Sequence, residues 1–215
     1  CWGSNDQGSL GYYDFTPRGV TPDTTPDKLP GIALGEGFVP AGVLPGYAST
    51  CAWSTQGLVK CWGSFTNGYP GMQGVGVPNE VTIANAPLMI VAPVNETFRV
   101  DGMVGNSGFL CATAAGDVRC WGTSVFLGNG ATDSIGDDEP PSSSRLTNDG
   151  WTARMISSTN EHTCAVSTDD DVYCWGRNES GALGDGSTQP TTGVVGPIEL
   201  GGAGAIGPRG LAVRA

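Results

Sequence analysis

Short runs in which apolar and polar positions alternate recur along the chain, most clearly HTCAV at 162–166 and VYCWG at 172–176. A period of two over about five residues predicts half-buried strands, not helices. The polar stretch between them, residues 167–171, joins them as an antiparallel hairpin. The same pairing is expected around Cys51 and Cys61 and around Cys111 and Cys120. In the latter, Ala115-Gly116 fits a two-residue turn, while Gly57 suits the left-handed position of a three-residue loop in the former.

The hairpins belong to a longer repeat. Cys-Trp-Gly occurs at 1–3, 61–63, 120–122 and 174–176, and the last three copies are preceded by a second cysteine, Cys51, Cys111 or Cys164. Leu10-Gly11, Leu127-Gly128 and Leu183-Gly184 follow the tryptophans, with Pro70-Gly71 in the corresponding place of the second copy. Repetition at this period marks stacked units that bury a shared core. Units are assigned to 1–47, 48–107, 108–160 and 161–215, forming a single propeller whose first unit is cut within a repeat.

Composition narrows the class. With 35 Gly and 15 Pro among 215 residues, long helices are disfavoured, and 39% hydrophobic residues with six Trp require a folded core. The expected class is all-β. A formal net charge of −11, from 21 acidic and ten basic residues, disfavours nucleic acid as a partner. No apolar stretch is long enough to cross a bilayer as a helix.

Six cysteines can connect in many ways, but residues opposed on one hairpin lie close to disulfide geometry. Local bridges Cys51–Cys61, Cys111–Cys120 and Cys164–Cys174 are therefore expected, together with an oxidising location outside the cytosol. Zinc and redox motifs require closer spacing than these cysteines show. Cys1 is left unpaired in this sequence, and the repeat places its partner upstream.

The segment from His162 to Thr188 resembles a repeat of the regulator of chromosome condensation family in its cysteine-bearing, secreted variety. The likeness is close over 161–190, clear at 1–11, 51–63 and 111–132, and thin in the connectors. It implies four-stranded β-propeller blades, with the tryptophans after the hairpin cysteines, Trp2, Trp62, Trp121 and Trp175, packed between blades. Members of the family include a nuclear nucleotide-exchange factor, an inhibitor of β-lactamases and many secreted proteins. The exchange-factor role does not suit paired cysteines and an acidic surface.

Candidate sites are few. Two sequons, at Asn95 and Asn178, are candidate N-glycosylation acceptors. Trp53 and Trp151 fall outside the Cys-Trp-Gly register and are candidate contact residues. His162 is the single histidine, with no nucleophile placed beside it by a motif. The acidic runs 169–171 and 137–139 read as solvated turns more readily than calcium sites. The Thr/Pro-rich connector after Tyr12 is expected to be extended.

No catalytic residue, cofactor or metal is expected. The function read from these features is a non-enzymatic extracellular structural or protein-interaction module, part of a glycosylated cell-surface appendage or fibre whose partners are other protein chains, including copies of itself. The alternative is a soluble secreted binder or inhibitor docking a protein or polysaccharide on one propeller face.

Overall fold

In the computed structural model, the described residues are 1–64, 89–90, 98–106, 108–136, 146 and 150–200. They contain eleven strands and two short 3-10 turns, at Pro26–Lys28 and Ser124–Phe126. The class is all-β.

The strands form three antiparallel sheets. The first runs β1 (Pro40–Pro45), β2 (Ser49–Ser54), β3 (Val59–Gly63), β4 (Met89–Ile90). The second runs β5 (Gly102–Gly105), β6 (Phe109–Ala114), β7 (Asp117–Gly122), with Ile135 bridging to Gly122. The third runs β8 (Ala153–Ser158), β9 (His162–Ser167), β10 (Val172–Gly176), β11 (Thr191–Val195). Gly3 bridges to Arg18 as Gly122 does to Ile135.

Each sheet begins one strand earlier than the repeat limits drawn from the cysteines. The limits at 47/48, 107/108 and 160/161 fall between the first and second strands of the three sheets. These first strands carry no cysteine marker, and β1 lies in what composition reads as connector. Pro40 and Pro45 are compatible with it because β1 ends its sheet, where a missing N–H costs little. The rest of that connector is not extended throughout: it turns at residues 21–24, where Thr24 Oγ1 accepts from the Gly19 and Thr21 N–H groups, and coils at Pro26–Lys28.

The hairpin turns follow the local chemistry. Ala115 and Gly116 both have positive φ, as a two-residue turn between twisted strands requires. The other two hairpins close three-residue loops through backbone bonds Ser54 N–H to Leu58 O and Ser167 N–H to Asp171 O. Their left-handed positions are held by Gly57 and Asp170. In each, the hydroxyl of Ser54 or Ser167 accepts two loop N–H groups.

The sheets pack face to face through one large apolar cluster that includes Val59, Phe98, Phe109, Trp121, Leu127 and Trp175. β5 lies against both β1 and β8. Two backbone ties reinforce the stacking: Gly130 N–H donates to Thr192 O, and the Asn106 side chain donates to Asn160 O.

Candidate functional site

Directly opposed strand residues carry the three disulfides, Cys51–Cys61, Cys111–Cys120 and Cys164–Cys174, with Cα separations of 4.0, 4.0 and 4.1 Å. Cys1 is exposed and makes no disulfide among the described residues.

The residue after the second cysteine of each hairpin is a buried tryptophan: Trp62, Trp121 and Trp175 are 2, 0 and 0% exposed. Trp62 closes on Gly11 and Trp175 on Gly128 so tightly that a Cβ would approach the indoles to 2.8 and 2.7 Å. Leu-Gly and Trp are thus two halves of one joint between successive units. Trp2 departs from this pattern at 62% exposure, its ring lying beside Gly19.

A second periodic contact lies beside the first. Phe38, Phe98 and Trp151 each stand thirteen residues before the first cysteine of a hairpin. Each is covered by the residue before the second cysteine. Lys60 Nζ lies 5.3 Å from the Phe38 centroid, Arg119 Cζ lies 4.5 Å from that of Phe98, and Tyr173 stacks on Trp151 at 4.5 Å. Trp151 therefore belongs to a repeat register and is half-buried against the core. The varying identity of ring and partner concealed this repeat; its constant spacing was the available signal.

Trp53 is also half-buried, its ring lying over Gly42, where a Cβ would collide at 2.1 Å. It lines a cavity of about 390 Å³ bounded by Asp101, Met103, Thr113, Arg154 and Met155. Asp101 accepts hydrogen bonds from Thr113 Oγ1 and the Ala115 N–H. Arg154 pairs with Asp170.

The structure places Asn178, the acceptor of the second sequon, in the interior. Asn178 is fully buried; its Nδ2 has acceptors in Asp185, the Ser187 carbonyl and hydroxyl, and the Gln189 carbonyl, and its Oδ1 accepts the Leu183 N–H. The amide organises the loop that delivers Leu183-Gly184, so a glycan there would unmake it. Asn5 performs the same task for Leu10-Gly11, accepting the Leu10 N–H and donating to Asp14. The matching Asn-to-Leu spacing in the two units was the overlooked clue. Asn95, the acidic run 137–139 and Pro70-Gly71 lie outside the described residues.

His162 opens β9 with Nδ1 3.0 Å from Thr159 Oγ1, and burial lowers its pKa against the opposing pull of Glu161. Residues 169–171 form the exposed β9–β10 tip. Among the described residues no group of three or more His, Cys, Asp or Glu side chains is arranged to hold a metal. None of the described helices is long and apolar enough to cross a membrane. Arg18 donates to Asp14 and, with the Thr16 N–H, holds its pKa at about 2.

Comparison with known proteins places these features in a family context. Residues 156–182 match the model of the regulator of chromosome condensation (RCC1) repeat. The chain is 31% identical over 191 residues to the Ultraviolet-B receptor UVR8 of Arabidopsis thaliana, covering 86% of this chain and 38% of that protein. Human WBSCR16 is similar in structure, with a TM-score of 0.64 and 21% identity over 90% of this chain and 46% of that one. So is Prp20p from Saccharomyces cerevisiae, with a TM-score of 0.57 and 17% identity over 86% and 42%; its structure was described together with its binding properties to Gsp1p and histones. The chain spans less than half the length of each of these proteins.

Proposed function

Taking the chain as a run of RCC1-type β-propeller blades, we propose that it is a non-enzymatic protein-interaction module that works in an oxidising, extracellular setting. The observation that carries the proposal is the set of three disulfides, each joining the second and third strands of one sheet. Such bridges persist outside the cytosol and are rare within it. Interaction as the role is supported by Prp20p, whose binding properties extend to Gsp1p and histones. An acidic chain of net charge −11 fits a protein partner better than a nucleic acid.

This role can take two forms. In one, the module is a fixed part of a cell-surface appendage or fibre; in the other, it is a soluble binder or inhibitor docking a protein on one face. The cavity beside Trp53 favours the second form, because a concave site between rigid strands suits a discrete partner. Of the two sequons, Asn178 is buried, so the glycosylated form of this role leans on Asn95.

Surface labelling of native cells with a membrane-impermeant biotin reagent, followed by fractionation, tests the proposal. Recovery of the labelled protein from the surface or medium, in complex with another protein chain, is the expected result; exclusive recovery from the unlabelled cytosol contradicts it. Negative-stain images of the same material separate filaments from discrete particles.

A further inference from the structure

We propose that the cavity between β5 and β8 is a docking pocket for a lysine or arginine side chain presented by a partner protein, an inference that rests on the interaction-module reading and specifies its chemistry. At about 390 Å³ the cavity is of the size that ligand groups occupy. Its lining grades from apolar to charged toward solvent: Met103 is buried, Trp53 and Met155 are half-buried, and Asp101 is exposed. An occupant matching that gradient has a long apolar stem and a polar head, the form of lysine and arginine side chains.

The carboxylate is positioned in advance. Thr113 Oγ1 donates to Asp101 Oδ1 and the Ala115 N–H donates to Oδ2, at 2.5 and 2.8 Å. Each oxygen retains acceptor capacity for an incoming cation. Trp53 is fixed over Gly42 and offers an indole wall for the stem or for a cation over its face.

Charge separates this occupant from the others. Arg154, the cation lining the cavity, is paired with Asp170, so it does not cancel Asp101. Beyond that pair, the neighbouring β9–β10 tip presents Asp169 and Asp171, both exposed, and the chain carries 21 acidic against ten basic residues. That field draws a cationic partner and repels an anionic one. A purely apolar occupant would cover Asp101 without pairing it, at a desolvation cost.

The test is an NMR titration of the isotopically labelled, disulfide-intact chain with Nα-acetyl-lysine amide and its uncharged isostere Nα-acetyl-norleucine amide. The lysine probe is expected to shift the Trp53 indole N–H and the amides of 101–103 and 153–156, with the norleucine probe at least about tenfold weaker. Asp101→Asn should weaken the lysine probe about tenfold. Met155→Lys, which supplies the chain's own ammonium to the cavity, should abolish its binding; it decides the matter if Asp101→Asn fails to fold. Equal response to both probes, shifts confined to residues 169–171, or undiminished binding by a folded Met155→Lys variant would overturn the proposal. A native complex that persists with Met155→Lys overturns docking here and leaves the module reading intact. Probe binding by a chain found only in the cytosol and without a protein partner retains the cation pocket and removes the module reading.

Discussion

Two joints between successive units, built from the same parts, differ in their polar bonding. Where Trp62 meets the loop at residues 5–11, its Nε1–H and the Thr50 hydroxyl both donate to the Ser9 carbonyl at 2.9 Å. Where Trp175 meets the loop at 124–128, the corresponding Nε1 and the Thr163 hydroxyl are equally buried yet find no hydrogen-bond partner among the described residues. The second loop is two residues shorter between tryptophan and leucine, has serine where the first has Asn5, and coils as a 3-10 turn. Leu127 is nonetheless fully buried and Gly128 still sits against the indole. Apolar packing, being non-directional, survives the deletion; the hydrogen bonds, which need a carbonyl at one distance and angle, do not.

The largest effects should fall on what the joints share. Leu10→Ala, Leu127→Ala and Leu183→Ala each remove a buried leucine, and each should cost about 2–5 kcal/mol in denaturant unfolding. A much smaller loss at Leu127 alone would break the equivalence of the loops. Next come the asparagines that the shorter loop lacks. Asn5→Ala and Asn178→Ala should each cost about 1–3 kcal/mol, because they strand the Leu10 or Leu183 N–H in the interior. Expression of the wild type in a glycosylating host should leave Asn178 unmodified, by peptide mass.

The tryptophans sharpen the contrast further. Trp62→Phe removes a buried donor that is bonded, whereas Trp175→Phe removes one that is not. The former should be more destabilising by about 1 kcal/mol; equal losses would mean that the two joints bond alike.

The smallest effects are those of pH. His162 has a lowered folded pKa, so its contribution is present above the ordinary 6.5 and is lost as pH falls below it. Asp14, lowered from 3.8 to about 2, contributes above 3.8 and loses that contribution only toward pH 2, screened by its 40% exposure. Moving from pH 7 to 5 should therefore raise hydrogen exchange around 159–163 before it does so around 5–14.

The hairpins were legible because alternation, turn residues and facing cysteines all point to one register, and the structure follows it residue for residue from Cys51↔Cys61 to Cys164↔Cys174. The first strand of each sheet was not, since PAGVLP, GMVG and ARMISS share no marker residue and are specified by what they pack against. The Asn178 loop misleads for a similar reason: Asn-x-Ser is short enough to read as a sequon, and its burial depends on acceptors seven to eleven residues away. Of the interaction site, Trp53 was visible as an unassigned aromatic, but Asp101 and Met155 join it only through the stacking of β5 on β8.

Disulfide mapping of the native, unreduced protein by peptide mass spectrometry tests the blade architecture most directly. Three cross-linked pairs are expected, Cys51 with Cys61, Cys111 with Cys120 and Cys164 with Cys174. Bridges that join different hairpins, or alkylation of these six residues without reduction, would contradict both the stapled blades and the extracellular role.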